Sequence, residues 1–212
     1  MGRGTFTVEN VVGVGEAFFA MRNPMDSWDK ASYQKDLDLH MRLCKGGTEH
    51  RKHTRMIHIY WDCTMPLYWW KEFDTYRLGE SHVSCSTMHT IHKHPFTEDM
   101  FATHRLGKAG EVILADNITG LNWLRSKYLE TNDKDYWYEI IQSLPSSFLQ
   151  RRTGEMSFET ALKIIRERKN HKLDEWHWVC DELLKSVPYL AETAYEMKYL
   201  TDEERKKYGK RS

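Results

Sequence analysis

Ser84, Cys85, Ser86 and Thr87 stand in a row, small side chains that each end in a hydroxyl or a thiol. Together with the backbone N–H groups between them, such a run can ring an anion as a nest of amides does. A solvated Ser-rich turn is the other use of the same residues. Shortly before them, Arg77 offers a planar fork of donors suited to a phosphate or a carbonyl, a geometry lysine lacks. The alternative for Arg77 is an ion pair with Asp74 or Glu80. Cys85 becomes a nucleophile only if a cation such as Arg77 or His82 lowers its pKa. The pairs Arg151-Arg152 and Arg166-x-Arg168 hold the remaining arginine density outside the tail. They complete a phosphate pocket if folding brings them to the Ser-rich segment, and form a solvated face otherwise.

Other clusters point less far. His82, His89, His92 and His94 lie close in sequence, but a metal site needs rigid placement and supporting partners, so solvated loop histidines are expected and a histidine-metal protein is the lesser reading. His58 alternates with Tyr60 and reads as a satisfied core residue. Glu72 and Asp74 are two apart and do not share a helix face, which argues against paired-carboxylate catalysis. Gly13-Val-Gly15 is too short for a dinucleotide fingerprint. Cys44, Cys63, Cys85 and Cys180 show no Cys-x-x-Cys pair, so reduced thiols are expected rather than a disulfide framework or a cysteine zinc site.

The elements that must position these residues are many helices and few strands. Alternation suggests a strand at residues 5–9, and β-branched and aromatic residues suggest another at 55–64. Residues 150–157 are a weaker strand candidate. Helical spacing marks 14–21, 36–44, 111–128, 133–144, 158–169 and 173–186. Pro66 is placed to open an aromatic helix at its first turn, which then runs into the Ser-rich loop. Thr97 suits the cap of a short helix. The pattern lacks regular strand-helix alternation and predicts an α+β fold, a small antiparallel or mixed sheet with many packed helices.

The length of 212 residues suits a single domain over residues 1–200 with a charged, frayed tail at 201–212. Lys plus Arg and Asp plus Glu both number 31, so no global field draws the chain to nucleic acid or anionic lipid. No apolar run approaches the roughly 20 residues of a membrane span, and the N-terminus lacks a signal-peptide core. The reading is cytoplasmic. Aromatics make up 13% of the chain, with eight tryptophans at low mean hydropathy. Large rings therefore dominate the core, and those of the Pro66 helix and the Leu144-Pro145 segment are expected near a subunit interface.

Four segments, taken in order, resemble the flavin-dependent thymidylate synthase superfamily over roughly residues 15–185. They are Ala20-Met-Arg-Asn-Pro24, then Lys45-Gly-Gly-Thr-Glu-His50, then the strand, Pro66 helix and Ser-rich loop, and finally Leu144-Pro145 with its strand, Leu162-Lys-Ile-Ile-Arg-Glu-Arg168 and His171. The resemblance implies an α+β homotetramer that binds FAD and a pyrimidine nucleotide, with NADPH and methylenetetrahydrofolate as co-substrates. Residue by residue, it implies flavin contacts at His50, Arg77 and Ser81. For the substrate it implies Glu72, Ser84, Cys85, Ser86, Thr87, Arg151 and Arg168, with Arg168, Ser84 and Cys85 at the chemistry. Thr75 and Tyr76 stand where the family has Arg and His, and Thr87 and Ile141 stand where it has phosphate-binding arginines. Those departures favour a second reading, a catalytically inactive nucleotide sensor.

Overall fold

The structure, a computed structural model, describes residues 2–208. Its strands are β1 (Thr5–Val12), β2 (His58–Pro66), β3 (Glu80–Ser84) and β4 (Leu149–Ser157), and they form one antiparallel sheet in the order β1-β2-β4-β3. The helices are α1 (Val14–Ala20), α2 (Tyr33–Lys45), α3 (Leu67–Phe73), α4 (Thr87–Thr90) and α5 (Lys108–Thr131), followed by α6 (Lys134–Ser143), α7 (Phe158–Arg168), α8 (Asp174–Ser186), α9 (Leu190–Glu196) and α10 (Asp202–Lys207). The fold is α+β.

Strand β2 is central because its period of two is strict. Ile59, Trp61, Cys63 and Met65 all point inward and are fully buried. Gly154 in β4 lets this happen, since a Cβ there would stand 2.6 Å from Trp61 Cζ2 and 2.4 Å from the Ser81 carbonyl. Two strands pass into helices with no loop between. Pro66 ends β2 and is the residue before α3, while Ser157 ends β4 and caps α7 through its side chain, which accepts from Thr160 N–H.

The chain clusters into two compact units, neither of them one continuous stretch. The first comprises residues 2–5, Cys63–Thr75 and Val83–Thr153. Its core joins Leu114, Leu121 and Leu124 of α5 and Ile140 of α6 to Ile91, Phe96, Phe101 and Phe148. Trp69, Trp70 and Phe73 of α3 pack on one another and are buried within the chain. The α3 rings expected at an interface are thus spent on the interior. Exposed apolar surface lies instead on α5 and α6, at Val112, Ile113, Trp123, Leu129 and Tyr138.

The second unit comprises Phe6–Asp62, Tyr76–His82 and residues 154–208. Helix α7 is its axis, burying Ala161, Leu162, Ile164 and Ile165 and packing against α8 and α9. That leaves Glu159, Lys163 and Arg166, spaced i, i+4, i+7, along the opposite face.

Several sequence expectations are corrected. The segment read as a Ser-rich loop begins as β3 and ends in α4, because Glu80, His82 and the β4 backbone give it a ladder to join. Pro66 precedes its helix, with ψ of 152° that continues the strand, instead of occupying the first turn. The second strand starts at His58, since residues Lys52–Met56 coil into a 3-10 turn. Helix α9 was not foreseen beyond Pro188, and the tail is ordered through Tyr208 by a capping box at Thr201 and by Lys207 and Tyr208 on Asp181. Residues 209–212 lie outside the described residues.

Candidate functional site

One concavity in the second unit forms where the Arg77–Gly79 turn meets the start of α7. Gly79 takes φ +73°, and its carbonyl accepts from Ser157 N–H at 2.8 Å. Thr160 Oγ1 lies 3.2 Å from the Leu78 carbonyl and 3.1 Å from that of Gly79. A side chain at Gly79 has no room, since a Cβ would stand 2.7 Å from Thr160 Oγ1 and 2.9 Å from Ser157 Oγ. The turn is therefore fastened to α7, and Arg77 projects from it exposed.

Beside this turn lies a cleft of about 510 Å³, with walls that include Leu78, Gly79, Ser157, Thr160, Leu162 and Tyr199. Its charged lining is Arg51, Arg55, Lys163 and Arg166 against Glu155 and Glu159, four cations to two carboxylates. Glu159 is committed to Arg51, whose Nε and Nη2 both donate to it at 2.8 Å. That bond raises the Arg51 pKa above its usual value, outweighing burial. Glu155 accepts from or shares a proton with His58 Nδ1 at 2.7 Å. His58 is thus a hydrogen-bond partner of Glu155 at the cleft, where the sequence suggested a core histidine. Arg166 donates to Glu167 at 2.8 Å. Arg55 and Lys163 are exposed and form no ion pair among the described residues, although Lys163 Nζ sits 5.3 Å from the Tyr76 ring centroid and its charge also helps hold the Glu167 carboxyl down.

Arg168 lies half-buried at the far end of α7. Its Nε donates to the Tyr76 hydroxyl at 3.0 Å, and its guanidinium sits 4.9 Å from the Trp176 ring centroid. The Tyr76 hydroxyl in turn donates to Glu167 at 3.1 Å. Burial pushes the Tyr76 pKa up to about 12, against the pull of Arg168. For Glu167, burial pushes upward, but hydrogen bonds from Arg166 and Tyr76 hold its carboxyl below the usual range.

The expected site residues divide between the two units. His50, Arg77, Ser81 and Arg168 fall in the second unit, and Glu72, Ser84, Cys85, Ser86, Thr87 and Arg151 in the first. In the first unit the hydroxyl run forms a defined corner. Cys85 N–H donates to the Arg151 carbonyl at 2.8 Å, and Gln150 Nε2 reaches the Cys85 carbonyl at 3.0 Å and Thr87 Oγ1 at 3.4 Å. Ser86 caps α4, while Ser84, Cys85 and the Arg151 side chain are exposed. Next to it, Arg152 stacks 4.1 Å from the Trp70 centroid and pairs with Asp74 at 2.6 Å. Glu80 pairs with His82 at 2.9 Å. Both carboxylates proposed as partners for Arg77 are therefore taken, and Arg77 makes no hydrogen bond or ion pair among the described residues. His50 is exposed at the surface beside Gly46.

Sequence reasoning missed Arg51, Arg55, Glu155 and Lys163. The i, i+4, i+7 stripe of Glu159, Lys163 and Arg166 was a usable signal. The pairing of Arg51 with Glu159 was not, being a contact between residues more than a hundred positions apart.

The fold these elements make is that of the flavin-dependent thymidylate synthases. One solved structure with it is a flavin dependent thymidylate synthase ThyX from Helicobacter pylori complexed with FAD and dUMP, at TM-score 0.70 and 16% identity, covering 91% of this chain and 97% of that one. A second Helicobacter pylori ThyX structure with FAD and dUMP superposes equally well, at 16% identity over 92% and 99% of the two chains. A UMP/dUMP methylase PolB from Streptomyces cacaoi bound with 5-Br dUMP matches at TM-score 0.70 and 10% identity, over 97% of each chain. No family model matches the sequence, and no curated protein matches it.

Proposed function

We propose that this chain binds a flavin and a pyrimidine nucleotide and uses them in reductive methylation or related one-carbon chemistry. The observation that carries the reading is the cationic cleft at the Arg77–Gly79 turn, in a fold whose solved examples include complexes with FAD and dUMP. Its donors fit a phosphate-bearing ligand: Arg55 and Lys163 are exposed and enter no ion pair among the described residues, and Leu78, Leu162 and Tyr199 offer apolar wall for a ring system.

Arg77, Arg55 and Lys163 would hold the flavin's phosphates, with His50 and Ser81 as further contacts. Ser84, Cys85, Ser86, Thr87, Arg151, Glu72 and Arg168 are assigned to the nucleotide. When bound, the flavin supplies hydride, and the protein's part is to bind, orient and exclude water. A nicotinamide reductant and methylenetetrahydrofolate belong to the same reading, as does a homotetramer in the cytoplasm. The exposed apolar side chains of α5 and α6 support self-association.

A second reading, a nucleotide-binding protein without catalysis, is favoured by Tyr76. It fills the place of a family histidine and engages Arg168 through its hydroxyl. One experiment separates the two. Purified protein is examined for flavin absorbance and titrated with FAD, then with dUMP and UMP, while the melting temperature is followed. Flavin binding with nucleotide-dependent turnover supports the first reading. A colourless protein stabilised by dUMP or UMP supports the second, and no response to either ligand overturns both.

A further inference from the structure

The interior of the second unit holds a pair of histidines that neither reading uses. His40 lies on α2 and is fully buried, while His53, 4% exposed, comes from the 3-10 turn Lys52–Met56. Phe18 of α1 and Phe158 of α7 pack on the His40 ring, at centroid distances of 5.3 and 5.8 Å. Cys44 Sγ is 3.7 and 3.8 Å from the two His40 ring nitrogens, so it rests against the ring without favouring either atom. The pair joins three elements. His53 Nε2 meets His40 Nδ1 at 2.8 Å, and His40 Nε2 meets Thr193 Oγ1 of α9 at 2.9 Å. The same turn carries part of the cleft wall, since Arg51 at its head and Arg55 within it both line the cleft.

The pair has no place for a further proton. Thr193 Oγ1 donates its single proton to the Tyr189 carbonyl at 2.7 Å, so it accepts from His40 Nε2–H. His40 Nδ1 is then the acceptor of His53 Nε2–H. A proton added to His40 Nδ1 would set two N–H groups head to head across that 2.8 Å contact. One added to His53 Nδ1 would make a buried imidazolium N–H at an atom that has no hydrogen-bond partner. The neighbours do not compensate such a charge. Burial pushes the Cys44 thiol up to about 12, so it stays neutral. Tyr189, bonded to Tyr33, is likewise pushed up to about 12. Glu159, the carboxylate that faces the turn from α7, is taken by Arg51 and by Thr54 Oγ1 at 2.9 Å.

We propose that His40 and His53 form an acid-sensitive latch, closed while both rings are neutral, that holds the Arg51 and Arg55 wall of the cleft against α2 and α9. Burial lowers His40 from the usual 6.5 to about 3, with His53 adding to the effect, and lowers His53 to about 4 against the pull of Glu159. Between pH 6.5 and 4 the unfolded chain therefore binds more protons than the folded one. The latch is at full strength above pH 6.5 and weakens as pH falls. Protonation parts the turn from α2 and takes the cationic wall with it, so a ligand of the cleft is released in acid. That last consequence rests on the proposed use of the cleft, and the latch itself does not.

The test uses the full chain without ligand, so it stands whether or not the cleft binds a nucleotide. In the magnetic resonance spectrum of protein with isotope-labelled histidine nitrogens, two of the eleven rings are expected to show nitrogen–nitrogen coupling across a shared hydrogen bond. Both are expected to stay neutral in the folded protein down to about pH 5.5. From pH 7.5 to 5.5 each latch histidine should lower the folding constant about tenfold. Urea unfolding should therefore show the wild type losing about tenfold more than His53→Gln, whose amide can still donate to His40 Nδ1. Over the same interval, amide exchange in residues 51–56, corrected for its intrinsic rate, should quicken more in the wild type than in the variant. A coupled pair that protonates above about pH 6, or no coupled pair, overturns the proposal. So does a loss in His53→Gln within about twofold of the wild type's, or exchange in the turn that does not quicken. If His53→Gln does not fold, the ring spectra of the wild type decide alone.

Discussion

Gly79→Ala is the sharpest test of how the cleft is built. An alanine at φ +73° costs about 1–2 kcal/mol in the left-handed region. Its Cβ would stand 2.7 Å from Thr160 Oγ1 and 2.9 Å from Ser157 Oγ, so both hydroxyls must turn away. Ser157 then releases its cap on α7, worth about 1 kcal/mol, and Thr160 loses its bond to the turn, worth about 0.5–1.5 kcal/mol. Stiffening of the unfolded chain returns about 0.4–1 kcal/mol. The net expectation is a loss of about 2–4 kcal/mol, read in urea unfolding as a midpoint lowered by roughly 1–2 M with the slope unchanged. Gly15→Ala is the control, since a Cβ there meets nothing within 4 Å and the site is helical. It should be neutral or stabilising by up to about 1 kcal/mol. A Gly79→Ala protein within 0.5 kcal/mol of the wild type, by the same urea measurement, would show that the turn is not fastened to α7 as described.

Charge in the cleft should matter singly: Arg55→Ala and Lys163→Ala are each expected to weaken flavin or nucleotide binding about 10- to 100-fold by calorimetry, the scale of a hydrogen bond to a charged group. Equal affinity in both variants would remove the cleft from the reading. Tyr76 is neutral in the fold up to about 12 but ionises near 10 when unfolded, so its contribution is complete below pH 10 and is lost as pH rises towards 12. The wild type should therefore lose about 2–3 kcal/mol more than Tyr76→Phe over that window in pH-dependent denaturation; parallel curves would refute this. Phe101→Ala, deleting a fully buried ring of the first unit's core, should cost about 3–5 kcal/mol in the same assay.

Much of the frame could be read from local pattern. The strict alternation of Ile59, Trp61, Cys63 and Met65, and the helical spacing of Leu114, Leu121 and Leu124, required no tertiary knowledge. Strand β3 could not be read that way. Glu80-Ser-His-Val-Ser84 is polar and mostly exposed, and it is a strand only because the β4 backbone is there to bond it. Of the expected site residues, Arg77 was singled out by residue type, and the structure leaves it free of Asp74 and Glu80. The cleft beside it was hidden because its cations come from the 3-10 turn and from α7, segments that only folding joins.

The junctions at Pro66 and Ser157 contain no slack. One residue added at either seam would turn the helix that follows by about 100°, carrying Trp69, Trp70 and Phe73 out of the interior in one case and Leu162 and Ile165 in the other. Insertions and deletions are therefore barred at the two points where the sheet hands over to its helices. Divergence there must proceed by exchanging side chains at constant length.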